Sequence, residues 1–225
     1  MIMTRLVVLA NSWKHSDWCL AGIDLATGAW VRPVTGLKDG RIPKAAMHLD
    51  GYFPQLLDVI ELPLAETGPD YGFEKENKTL LTGKWRRHEK MPPEALIPYA
   101  KRHSMVLHTA GNCVPLKVLK EKPAAERHSL ELIHTTTFRV RNARKRDSGE
   151  PTWQGILRLD GGDLAIRITD PVFVGKLNAG YAPKANCLLT LSLSMPYKPP
   201  DRGDGCEEAC WKLIAGVIEL PECRE

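Results

Sequence analysis

The chain has 225 residues, 43% apolar and 26% charged, with 31 Lys and Arg against 27 Asp and Glu for a formal net charge of +4. These values are ordinary for a globular protein and exclude wholesale disorder, and the length suits one large β-domain or two small ones. The longest apolar runs are too short to cross a bilayer. The opening MIMTRLVVLANSWKH lacks the apolar stretch and small-residue cleavage site of a secretory leader, so a cytoplasmic location without membrane contact is expected.

Residues 6–10, LVVLA, are short and continuously apolar and predict a buried strand. Residues 18–34, WCLAGIDLATGAWVRPV, predict a hairpin turning at Ala26, Thr27 and Gly28. Its second strand sets Trp30 and Arg32 two residues apart and so on one face. Pro33 is expected to end that strand or confine it to a sheet edge. Residues 36–54, rich in Gly, Lys, Asp and Pro, predict a long surface loop, and 56–64, LLDVIELPL, a further strand. After the Pro92–Pro93 break, residues 94–107 predict a helix that Pro98 kinks or shortens. Residues 116–128 predict a short helix and connector, and 130–140 a strand. Residues 152–169 predict a second hairpin, turned by Asp160, Gly161 and Gly162. Residues 187–195 are strand-like, 198–205 a loop, 206–212 a helical turn and 213–220 a last strand.

Two stretches look repeated. Val59–Ile60–Glu61–Leu62–Pro63 recurs as Val217–Ile218–Glu219–Leu220–Pro221, each downstream of a hairpin whose first strand carries Gly-Ile: Gly22–Ile23 and Gly155–Ile156. Duplicated β-units of about 100 residues are the economical reading. Short strands separated by Gly/Pro turns favour barrels or sandwiches. The expected organisation is all-β with minor helices, in two units over residues 1–108 and 109–225, the second including a partly helical connector.

The hairpin carries the pattern C-x-A-G-x-D/E-x-x-x-G-x-W-x-R-P through Cys19, Ala21, Gly22, Asp24, Gly28, Trp30, Arg32 and Pro33, and a PQLLDVIE strand follows from Pro54. In these segments the chain resembles an uncharacterised prokaryotic family of dual OB-containing domains. Residues 71–81, YGFEKENKTLL, resemble the family's acidic-Asn stretch, with Lys78 and Thr79 in place of a Trp-containing run. The resemblance implies two OB-like β-barrels in tandem and carries no activity.

OB barrels hold single strands by stacking bases on aromatics and tracking phosphates with Lys and Arg. The residues suited to that chemistry are Trp13, Lys14 and His15 after the first strand, Trp30 and Arg32 on the hairpin, and Trp85, Arg86 and Arg87. The run 139–146, RVRNARKR, adds Arg139, Arg141, Arg144, Lys145 and Arg146 with no acid among them. The blander reading makes Trp30 a core residue and pairs Arg32 with Asp24 or Asp58. A catalytic alternative would bring Asp24, Asp58 and Arg32 into one pocket. Asp58 and Glu61, however, have opposite strand parity, and no P-loop, GxSxG or HExxH motif occurs. No cofactor is expected. Six cysteines occur without a CxxC pair and read as reduced, small apolar residues; Cys206, Cys210 and Cys223 are spaced more loosely than zinc ligands. The sequence thus points to a non-catalytic protein binding DNA or RNA, with a protein-interaction module as the alternative.

Overall fold

The computed structural model describes residues 2–14, 17–47, 49, 51–101, 105–144, 151–198 and 207–221. The chain divides into two compact units, Met1–Tyr99 and Ala100–Glu225. Residues 101 and 105–108, grouped with the first half by the sequence reading, bond to the second: the Lys101 N–H donates to the Leu132 carbonyl and the Leu107 N–H to the Glu131 carboxylate.

Unit 1 is built from β1 (Ile2–Lys14), β2 (Asp17–Asp24), β3 (Trp30–Val34), β4 (Asp58–Leu64), β5 (Asn77–Thr79) and β6 (Arg86–Lys90). The long β1 pairs antiparallel with β4 through its first half and with β2 along its second, with a register shift between Val8 and Ala10. β2 turns into β3, and β3 runs parallel to β5. The Leu64–Leu80 bridge then joins the end of β4 to the end of β5. The five strands therefore form a ring, β1-β2-β3-β5-β4, and β6 is added on β4.

The apolar run in β1 is explained by burial on both faces: Leu6, Val7, Val8 and Leu9 are all fully buried. Leu6 and Val8 join Leu20, Val31, Ile60, Leu62 and Trp85 in the core cluster. Pro33 does not sit at an edge. β2 pairs only with Trp30 and Val31, and the bonds to the β5 side come from Arg32 and Val34, so the missing Pro33 N–H is not needed. Residues 36–54 are not simply a surface loop either, because Ile42, Met47 and Leu49 turn inward to the core.

Unit 2 comprises β7 (Cys113–Pro115), α1 (Leu116–Glu121), β8 (Leu130–Thr135), β9 (Arg139–Arg144), β10 (Pro151–Leu159), β11 (Gly162–Ile168), α2 (Pro171–Asn178), β12 (Cys187–Leu193) and β13 (Ala209–Glu219). Its strand path runs β8-β12-β13-β11-β10-β9, with β7 on β13. The path begins and ends on one stretch of chain, because β8 and β9 are separated only by residues 136–138. Taken together they occupy the place of β1, and β10-β11-β13-β12 follow in the order β2-β3-β5-β4. The third and last strands of this ring are again parallel. α2 links the third and fourth strands and starts at Asp170, whose carboxylate accepts from the Val172 and Phe173 N–H groups.

Three local expectations change. Residues 94–107 contain a 3-10 helix over Pro93–Tyr99 rather than an α-helix, with Pro98 inside it. The helical turn expected at 206–212 is strand from Ala209 onward. The VIELP copies lie on non-equivalent strands, the fourth of one ring and the last of the other. The equivalence lies instead in the hairpins. Gly22 faces Val31 and Gly155 faces Ile166, and the next residue on the third strand is Arg32 in one and Arg167 in the other. Both glycines are required by close packing. A Cβ on Gly22 would lie 1.8 Å from the Val7 carbonyl oxygen, and one on Gly155 would lie 2.4 Å from Ile214 Cδ1.

Candidate functional site

Cross-strand register places Arg139, Arg141, Gln154, Ile156, Arg158, Asp163, Ala165 and Arg167 on one face of β9-β10-β11. The other face carries Gly155, Leu157, Leu164 and Ile166, which are buried, so the arginine face is the outer one. All four arginines are exposed, against a single carboxylate among the described residues of this face. Asp163 accepts from Arg139 at 2.7 Å and Arg158 at 3.2 Å. Hydrogen bonds from Arg158 and Arg139 hold its carboxyl below the usual carboxylate range. Arg141 donates to Gln154 Oε1 at 2.6 Å, and Arg167 makes no ion pair among the described residues. Arg139, Arg141 and Arg158 are thus tethered to neighbours on the same face, and all four arginines remain open to solvent.

The basic run of the sequence is therefore split. Arg139 and Arg141 share this face, Arg144 has the opposite parity at the end of β9, and Lys145 and Arg146 lie outside the described residues. Arg158 and Arg167 were missed as site residues. Only the hairpin register adds them, through the alternation of 152–169 against Arg139 and Arg141. Trp153 points to the other face and donates its indole N–H to Asn178 at the end of α2, so the arginine face carries no aromatic side chain among the described residues.

Unit 1 distributes its candidates differently. Trp30 and Arg32 do share a face, opposite the core-facing Val31, as their spacing predicts. Trp30 is half-buried, and the Arg32 side chain is only 11% exposed. Arg32 pairs with Glu74 at 3.0 Å and donates to Asn77 Oδ1 at 3.2 Å. Neither Asp24 nor Asp58 is that partner. The Arg32 charge is thus paired within the fold, away from water, whereas the sequence reading sets it as a phosphate contact. Trp85 is likewise no surface stacker, because it is 2% exposed within the core cluster. Trp13 and Lys14 lie at the end of β1, facing Trp18 and Asp17 of β2 in register, and His15 lies outside the described residues.

Arg86 and Arg87 are exposed on β6. The Arg87 guanidinium lies 4.1 Å from the centroid of the Tyr52 ring. Tyr52 donates its hydroxyl to Asp58 Oδ2 at 2.6 Å, and burial, with that hydrogen bond second, raises its pKa. Nearby, Lys44 sits 5.0 Å over Phe53, whose ring packs 5.2 Å from Trp18. This aromatic and cationic surface was also missed. Its signal in the sequence was the pair Tyr52–Phe53 inside a Gly/Pro-rich loop.

A catalytic pocket of Asp24, Asp58 and Arg32 does not form. Asp24 closes the hairpin turn, accepting from the Ala26 N–H and the Thr27 hydroxyl. Asp58 accepts from Tyr52 and the Gln55 N–H. The open 810 Å³ groove that Asp58 lines with Arg5, Arg87, His88 and Lys90 includes neither Asp24 nor Arg32. Cys210 is buried on β13, while Cys206 and Cys223 lie outside the described residues. Among the described residues no group of His, Cys, Asp and Glu has the arrangement of a metal site, and no helix is long and apolar enough to cross a membrane.

Two mostly β units with the same ring order define a tandem OB protein. The chain belongs to the family of dual OB-containing domains, whose profile matches residues 4–217. No curated protein and no solved structure matches it. OB barrels serve as binding scaffolds, and the fold by itself does not choose the ligand.

Proposed function

We propose that the protein binds single-stranded nucleic acid without catalysing a reaction on it, with the outer face of β9-β10-β11 as the main contact. The observation that carries this reading is the set of four exposed arginines in register on one three-stranded surface, offset among the described residues by Asp163. Strand geometry sets neighbouring arginines about 7–10 Å apart along the backbone, Arg139 and Arg141 two residues apart on β9 and Arg141 and Arg167 on either side of Gln154, so that one extended strand can meet several of them. Arginine also provides planar, forked donors for phosphate oxygens. The net charge of +4 favours the encounter. A cytoplasmic setting accords with this reading.

The test is titration of a fluorescent single-stranded oligonucleotide at several salt concentrations, with wild type and an Arg139→Ala/Arg141→Ala/Arg167→Ala variant. Each phosphate contact on a single strand contributes about 0.7 to the slope of log K against log salt, so the variant should lower that slope by about 2. Equal slopes for the two proteins would exclude the arginine face as the contact. Partner capture that survives nuclease and high salt would favour a protein-interaction module instead.

A further inference from the structure

A second cavity in unit 1 has a chemistry the arginine face lacks. Its volume is 500 Å³, within the range of small-molecule pockets. Tyr52 and the nearly buried Trp85 are its aromatic lining residues, Lys84, Arg86 and Arg87 line it as cations, and no carboxylate is among its described lining residues. The Tyr52 ring is fixed by its hydrogen bond to Asp58 and covered by the Arg87 guanidinium at 4.1 Å. Trp85 is almost wholly buried, yet its indole N–H has no acceptor among the described residues. An unsatisfied buried donor costs roughly 1–3 kcal/mol, a cost that a ligand oxygen or nitrogen can relieve.

We propose that this cavity seats one nucleotide of a bound strand. The base stacks on the Arg87–Tyr52 pair, a base acceptor takes the Trp85 indole N–H, and the phosphate lies against Lys84 and Arg86. A planar, anionic ligand with hydrogen-bond acceptors is the class that satisfies the aromatic walls, the cations and the unpaired donor together. The inference rests on the nucleic-acid reading above but uses a different unit and different residues.

The experiment titrates the full, ¹⁵N-labelled chain with uridine 5′-monophosphate and follows the Trp85 indole ¹H–¹⁵N signal. That signal is assigned by its loss in Trp85→Phe, or by through-bond correlation if that variant does not fold. A saturable shift is expected. Arg87→Ala should weaken the apparent affinity about tenfold, the value of one stacking contact. Tyr52→Phe keeps the ring and should bind within about twofold of wild type, whereas Tyr52→Leu should lose binding. Lys117→Ala, an exposed residue of α1 outside both proposed contacts, should change nothing. The same shift with inorganic phosphate alone would overturn the base pocket in favour of an anion site. No shift, with salt-dependent oligonucleotide binding intact, would overturn this inference and leave the proposed function standing. Loss of both would overturn both.

Discussion

Arg32 and Arg167 occupy the same place in the two rings: each follows the third-strand residue opposite the hairpin glycine, and each begins the parallel pairing with the last strand. Their environments differ completely. β5 brings Asn77 to Arg32, and the turn before it brings Glu74, so the first arginine is drawn inside and paired. β13 brings Leu213 opposite Arg167 and no carboxylate, so the second arginine stays at the surface. One ring position therefore serves stability in unit 1 and is available for binding in unit 2. A matching residue at a matching position does not transfer a role; the partner strand assigns it.

The sharpest way to break this comparison is to delete both arginines separately. Arg32→Ala leaves the buried Glu74 without its countercharge, though Asn77 still donates to it, and should cost about 3 kcal/mol of unfolding free energy, measured by urea denaturation, without changing the salt slope of oligonucleotide binding. Arg167→Ala should do the reverse, leaving stability within about 0.5 kcal/mol and lowering the slope. A stable Arg32→Ala protein with weakened binding would show that the two positions share one role.

The paired glycines sharpen the comparison further. An alanine Cβ at Gly155 meets the ends of the Ile214 and Phe138 side chains, which can shift, and should cost about 1–3 kcal/mol. At Gly22 it meets the Val7 carbonyl, and β1 must move away from β2. The Gly22→Ala loss should therefore exceed that of Gly155→Ala, as a larger drop in denaturation midpoint. Equal losses would mean that the rings tolerate strand separation alike.

A smaller effect distinguishes the last strands. Lys212 of β13 is nearly buried and donates to the Thr109 carbonyl. Burial lowers its ammonium from the ordinary 10.5 to about 8, with Glu131 opposing the shift. Between those pH values the unfolded chain binds more protons than the folded one, so stability should rise from pH 8 to 10.5. The rise, on the order of 2–3 kcal/mol, should vanish in Lys212→Met. The Cys187 thiol, which burial pushes up to about 12, opposes the trend above its ordinary 9.0. It is common to both proteins and cancels in their difference. Identical pH profiles would show that the ammonium is solvated.

Much of the fold was legible because turn chemistry is local. Gly28, at φ 70°, closes the first hairpin, and Gly162, at φ 118°, the second; both are glycines where a positive φ is needed. Continuous apolar runs marked β1, β4 and β12. The tight turn between Val106 and Thr109 was not legible. Its central residues, Leu107 and His108, have φ of 43° and 75°, values that favour Asn or Gly. They are held there by tertiary bonds, Glu131 accepting from the Leu107 N–H at 2.7 Å and His108 Nε2 bonding the His128 carbonyl at 2.8 Å. α2 was missed for a similar reason: it is short, and its Asp170 cap also accepts from the distant Val217 N–H.

The candidate site divides along the same line. By itself, the sequence determined that basic residues cluster at 84–90 and 139–146 and that Trp30 and Arg32 share a face, because alternation is a property of one strand. Tertiary structure decided which of these meet water. It buried Trp85, paired Arg32 with Glu74 and set Arg158 and Arg167 beside Arg139 and Arg141. The physical reason is that exposure and charge pairing depend on which strand lies alongside, and neighbours in these rings are separated by up to about 60 residues of chain, as Ile2 and Leu64 are.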